Sequence, residues 1–284
     1  MTDHGMILVT GATGNIGRHV VTELNARGVP VRAMARHPVT AALPPGVEVA
    51  GGDFTQPGSL DDALDGVAAV SLLWPFLTAD KAPPVVDAIA KHTRRVVYVS
   101  AMSVRDDRPP QENGVWGQVE HLIERSGLEW TMLRAGGLAI NTLLWASQIR
   151  AGGVVRWPYG QARRSLIHER DVAAVAARAL TEEGHAGMRH VLTGPEAVTQ
   201  ADQVRLIGEA IGQPVRWEES PRDAAREQLL AVLGDLAFTD GALDYWASLV
   251  DRPEPVTDHV QRVTGVPART FRQWAADHAN DFGH

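Results

Sequence analysis

Short apolar runs alternate with segments of helical periodicity along the first half of the chain. The runs Met6–Thr10, Val31–Met34, Val47–Ala50, Ala68–Leu73, Arg95–Ser100 and Trp130–Leu133 are almost continuously apolar, the pattern of strands buried on both faces of a parallel sheet. Between the first two, Ile16, Val20, Val21 and Leu24 recur at helical spacing and Gly28 stands where the helix must stop. Ser59 and Asp62 have the spacing of a capping pair ahead of Leu60–Leu64. Glu112–Ser126 reads as a helix closed by Gly127. Regular alternation of this kind predicts an α/β fold built on a doubly wound parallel sheet.

Beyond Arg134 the pattern loosens, with Gly136-Gly137 and Gly152-Gly153 as punctuation. Helices are predicted at Asp171–Leu180, with Asp171 as cap, and at Thr199–Ile211, closed by Gly212 and Pro214. Others are predicted at Arg222–Leu233, Thr239–Leu249 and Thr270–His278, and a short strand at Val191–Thr193. The reading is a dinucleotide-binding core over 1–135 and a smaller, mainly helical substrate-side region over 136–284, partly interleaved with the core.

The first strand runs directly into Thr10-Gly11-Ala12-Thr13-Gly14-Asn15-Ile16-Gly17, which opens the first helix. That strand–turn–helix context gives the glycines meaning. Gly11 suits the tight turn, Gly14 lets backbone approach a pyrophosphate, and Gly17 permits close packing of helix on sheet. The helix start offers free N–H groups and partial positive charge to phosphates, so Thr13, Asn15 and Ile16 join the candidate cofactor residues. A purely structural glycine turn is the competing reading. The second strand ends Met34-Ala35-Arg36. An acid near this point would hold a ribose hydroxyl; Ala35 stands there instead, and the Arg36 guanidinium suits a 2′-phosphate. The expected cofactor is NADP(H) rather than NAD(H). Asp53 and Phe54 after the third strand, and Trp74 after the fourth, are candidates for the adenosine end, or else a turn carboxylate and packing aromatics.

Composition narrows the classes. The 284 residues are 44% hydrophobic and 21% charged, as in globular proteins, and the formal net charge of -7 argues against nucleic acid as partner. There is no cysteine, which removes disulfides, thiolate metal sites and cysteine nucleophiles. No apolar run reaches membrane-span length and no secretory leader is evident, so a cytoplasmic protein is expected. His168-Glu169-Arg170-Asp171 lacks the second histidine of a metalloprotease helix, and no metal site is expected. Neither a Gly-x-Ser-x-Gly elbow nor a Gly-Lys-Ser/Thr P-loop is present. Arg163-Arg164 reads as a solvated loop pair in preference to a pair near the cofactor phosphates.

Gly11–Gly17, Val31–Arg36, Gly52-Asp53, Val97–Ser100 and Ser126-Gly127-Leu128-Glu129-Trp130-Thr131 with Leu133-Arg134 together resemble the NmrA-like branch of the atypical short-chain dehydrogenase/reductases. The resemblance covers most of the chain, including Ile167–Ala173. It implies a Rossmann domain with a small C-terminal substrate-binding part. It also implies a Tyr-x-x-x-Lys pair in active relatives, the tyrosine giving a proton to the substrate oxygen. Here the pair is missing: Tyr98, Tyr159 and Tyr245 are followed four residues on by Met102, Arg163 and Leu249. Aligned through Glu120, the family's tyrosine and lysine positions hold Glu112 and Trp116, and Lys81 and Lys91 lie on the preceding helix.

Two readings follow. One is an NADPH-dependent reductase of a ketone or quinone on a bulky aromatic, polyketide-type substrate such as antibiotic pathways carry. Its proton would come from water, from the substrate, or from Ser100, Ser103 or His121, and Ser100 is also a candidate contact of the cofactor. Trp116, Trp145, Trp157 and Tyr159 would border the aromatic ligand. The other is a dinucleotide-binding redox sensor without chemistry.

Overall fold

The computed structural model describes residues 5–40 and 43–283. In chain order the elements are β1 Met6–Val9, α1 Gly17–Ala26, β2 Val31–Ala35, β3 Glu48–Gly51, α2 Leu60–Leu64, β4 Val67–Leu73 and α3 Ala82–His92. There follow β5 Arg95–Ala101, α4 Gly114–Arg125, β6 Glu129–Ala135, α5 Ala146–Gly152, β7 Val154–Trp157, β8 Arg163–Arg164, α6 Glu169–Thr181 and β9 Met188–Leu192. The chain ends with β10 Val198–Thr199, α7 Gln200–Ile211, β11 Arg216–Glu219, α8 Arg222–Leu233, α9 Leu236–Ser248, α10 His259–Thr264, α11 Phe271–Asp277 and α12 Ala279–Phe282.

Two compact units emerge, each built from several stretches of chain. The first holds 1–136, 169–192 and 259–266, and the second holds 137–168, 193–258 and 267–284. In the first unit all pairings are parallel and the strand order is β3-β2-β1-β4-β5-β6-β9. All six strands read from the apolar runs are in this sheet. Leu8, Val70, Leu72, Val96 and Met132 are almost inaccessible at its centre, covered by Val85, Ile89, Val119 and Ile123 from α3 and α4. Because the strands are parallel, every carboxyl end lies on one edge. The chain leaves β1 for β2 on one side and joins β4 on the other, and this reversal is where such sheets bind ligands.

The second unit packs α5, α7, α8, α9, α11 and α12 around Trp145, Ile149, Trp157, Val204, Ile207, Leu243, Phe271 and Trp274. Thr199 caps α7, its hydroxyl accepting from the Asp202 amide at 3.0 Å, and Gly212 closes that helix in the left-handed region. Two expected caps are absent. Ser59 precedes α2 without capping it, because its Oγ accepts from the Asp53 amide at 2.9 Å instead. Asp171 lies buried inside the first turn of α6 rather than ahead of it. The short strands β7, β8, β10 and β11 were not legible in the sequence pattern; each is four residues or fewer, too short to show a period.

Candidate functional site

The glycine turn, Arg36, Asp53, Phe54, Trp74 and Ser100 all fall at the carboxyl edge of the first unit's sheet. Thr10 ties the turn to β4: its hydroxyl donates to the Ser71 carbonyl at 3.1 Å and accepts from the Leu73 amide at 2.8 Å. Gly11 adopts φ 59°, which favours glycine. The Gly14 amide donates to the Gly11 carbonyl at 2.9 Å. A Cβ on Gly14 would lie 3.2 Å from that oxygen, and one on Gly17 would lie 2.1 Å from it. Gly17 is thus required so that α1 can pack on the turn itself, a refinement of the expected helix-on-sheet role. Thr13, Gly14 and Asn15 face solvent, and the Asn15 and Ile16 amides donate to no backbone carbonyl among the described residues. The Ile16 side chain is buried, leaving only its backbone for a ligand. This open cradle of N–H groups at a helix start fits a pyrophosphate.

Arg36 is exposed immediately after β2. It lines a cavity of about 600 Å³ with Gly51, Gly52, Asp53, Gln56 and Asp62. The Thr55 amide donates to Asp53 Oδ1 at 2.8 Å and holds that carboxyl below its ordinary value, aided by the charges of Arg36 and Lys81. Phe54 is buried and stacks on Trp74, with centroids 5.5 Å apart and planes at 17°. Phe76 meets Trp74 edge-on at 5.2 Å, and Lys81 stands over Phe76. Only Trp74 and Phe76 of this stack keep exposed surface, and Phe76 was not anticipated.

The proton-donor candidates are less concentrated. Ser100 is buried at the end of β5, its Oγ without a hydrogen-bond partner among the described residues. Ser103 is exposed in the following loop, and His121 is half-buried about two turns into α4. Tyr98 is fully buried, and burial with the nearby Glu120 charge pushes its hydroxyl far above the ordinary value. Glu112 is exposed in a 3₁₀ turn and Trp116 packs against the core, so neither position replaces the tyrosine–lysine pair. Trp145 and Trp157 are core residues of the second unit, each 4% exposed, and do not wall a ligand. Tyr159 adopts φ 63°, rare for a side chain of its size. Its carbonyl accepts from Gln200 Nε2 at 3.0 Å.

Two further residues organise this edge. Asn113 pins the loop after β5 through Oδ1 to the Arg105 amide and Nδ2 to the Arg105 and Arg108 carbonyls, all within 3.2 Å. Arg134, buried at the end of β6, makes a two-point pair with Glu120 at 3.0 and 2.7 Å and reaches Asp106 at 2.7 Å. Neither role was read from the sequence, because both depend on contacts across loops.

Fold, switch point and glycine cradle define a Rossmann-type dinucleotide-binding protein. Residues 11–183 match the family described as NAD(P)H-binding. The chain is 38% identical over 291 residues to (4-alkanoyl-5-oxo-2,5-dihydrofuran-3-yl)methyl phosphate reductase of Streptomyces griseus, covering 98% of this chain and 99% of that one. It is 32% identical over 284 residues to NAD(P)H azoreductase of Xenophilus azovorans, at 98% and 99% coverage. It is similar to the crystal structure of an NADPH-dependent quinone oxidoreductase from Escherichia coli, with TM-score 0.79, 25% identity, and coverage of 96% and 99%. The chain belongs to the NAD(P)H-binding family, within the NmrA-like atypical short-chain dehydrogenase/reductases. Its class is that of an NAD(P)H-dependent oxidoreductase. Among the described residues no helix is long and apolar enough to cross a membrane.

Proposed function

We propose that the chain uses NADPH in preference to NADH to reduce a conjugated acceptor such as a quinone or an unsaturated or aromatic ketone. The observation that carries this reading is a dinucleotide cradle, with Arg36 beside it, in a chain that has no tyrosine–lysine pair. When bound, the dinucleotide supplies a hydride. Asn15 and Ile16 offer backbone amides to its pyrophosphate, Arg36 pairs with the 2′-phosphate, and Trp74 and Phe76 flank the adenine. The carboxyl ends of β5 and β6 border the reacting end, and Asn113 and Arg134 keep their loops in place. Hydride addition to a conjugated acceptor leaves an anion delocalised over its π-system, far less basic than the alkoxide of a saturated ketone, so water can supply the proton and positioning accounts for most of the acceleration. The names of the relatives support this class: a furanone, an azo compound and a quinone are all conjugated acceptors. The second unit is read as the substrate side.

The test follows NADPH absorbance against benzoquinones, naphthoquinones, aromatic enones and saturated ketones. Turnover on the conjugated set and none on the saturated ketones is expected. Equal rates on both sets would require a side-chain acid and overturn the proton assignment. NADPH binding without turnover on any acceptor would favour a redox sensor.

A further inference from the structure

Arg164 does not behave as a solvated loop charge. Its side chain is only 13% exposed, on the two-residue strand β8 of the second unit. The guanidinium lies 5.6 Å over the Trp246 ring, and Trp246 packs on Trp157. One face of the guanidinium fills the space left by Gly137: a Cβ there would stand 2.1 Å from one terminal nitrogen.

The charge nearest to Arg164 is already committed elsewhere. Glu254, fully buried, lies 3.5 Å from Arg164 Nε, yet that nitrogen has no hydrogen-bond partner among the described residues. Glu254 Oε1 accepts from the Tyr245 hydroxyl at 2.8 Å, and Oε2 accepts from the Ser165 amide at 2.8 Å. The carboxylate therefore steadies the guanidinium without taking its planar fork. No hydrogen bond among the described residues uses either terminal nitrogen of Arg164. Gly137 makes the room in which the guanidinium itself sits, and a largely buried guanidinium whose two terminal nitrogens no described residue takes can receive a second oxyanion through its planar fork.

We propose that Arg164 is a specificity-determining residue that binds an oxyanion, a phosphate monoester or a carboxylate, carried by the acceptor this chain reduces. The inference rests on the reductase reading for its kinetic test and on binding alone for its second test. Three butenolides of one skeleton serve as probes, with the ring substituent as hydroxymethyl, phosphoryloxymethyl or carboxymethyl. In the wild type, kcat/KM for at least one anionic probe should exceed that for the neutral probe about ten- to hundredfold, the range of charge-assisted hydrogen bonding, and chiefly through KM. The favoured probe tells phosphate from carboxylate. Arg164→Gln should bring the ratio to about one, Arg164→Lys should restore part of it, and Gly137→Ala, which displaces the guanidinium, should lower it. Should Arg164→Gln fail to fold because Glu254 is left buried and unpaired, the double variant Arg164→Gln/Glu254→Gln removes both charges. A ratio that survives the loss of Arg164, or a wild type without preference, overturns the proposal.

Should no butenolide be reduced, the reductase reading fails separately. Calorimetric titration of the NADPH-loaded protein with phenyl phosphate and benzoate then decides. Binding that Arg164→Gln abolishes sustains the oxyanion site, and binding that is absent or unchanged removes it.

Discussion

At the scale of single residues, the cofactor preference turns on one side chain. Arg36 is exposed at the end of β2, borders an open cavity, and follows Ala35 where an acid would select a free ribose hydroxyl. Reversing its charge sets a carboxylate against a 2′-phosphate. Arg36→Asp should raise the Kd for NADPH roughly ten- to hundredfold, the scale of a charge-assisted hydrogen-bond pair. The Kd for NADH should change little. Fluorescence titration with both cofactors measures this, and equal loss of both would show that Arg36 shapes the loop rather than reading the phosphate.

Elements show where sequence reasoning held and where it stopped. The core strands were legible because burial on both faces writes a nearly continuous apolar run, as in Val67–Leu73 with Ser71 its one polar residue, and because Gly11, Gly14 and Gly17 mark the turn. Phe76, Asn113 and Arg164 were not legible in their roles, because each is defined by a partner distant in sequence or by space left by another residue. Arg134 and Glu120 belong to the same class: they are fourteen residues apart, on β6 and α4, and nearly buried together. Asp106, two-thirds exposed, cannot substitute for Glu120. Removing one buried partner leaves a charge uncompensated, so Glu120→Leu should cost about 3–5 kcal/mol of stability. The double variant Glu120→Leu/Arg134→Met removes both charges and should recover most of that loss. Urea midpoints of the three proteins test it, and a double variant no better than the single would show that the pair does more than neutralise itself.

Over the whole molecule, stability should depend on pH in a window set by a histidine rather than by carboxylates. His190 is buried on β9, the edge strand of the sheet. Its Nε2 lies 3.3 Å from His185 Nδ1, and its ring is 6.0 Å from that of His259. The Val191 amide donates to His259 Nδ1 at 2.9 Å. Burial first, then the charges of His185 and His259, lower the His190 pKa to about 4 from an ordinary 6.5. Between those values the unfolded chain binds a proton that the folded chain refuses, so stability rises with pH across this window and is complete above it. The arginine-bound carboxylates act lower: the Arg105 guanidinium holds Asp107 at about 2 against an ordinary 3.8, so its contribution is lost as pH falls between those values, just below the His190 window. Urea midpoints from pH 4 to 8 should therefore climb toward about 6.5 in the wild type. His190→Gln, neutral throughout, should flatten that window. Parallel profiles for the two proteins would place the titration in another group and free His190 of the role.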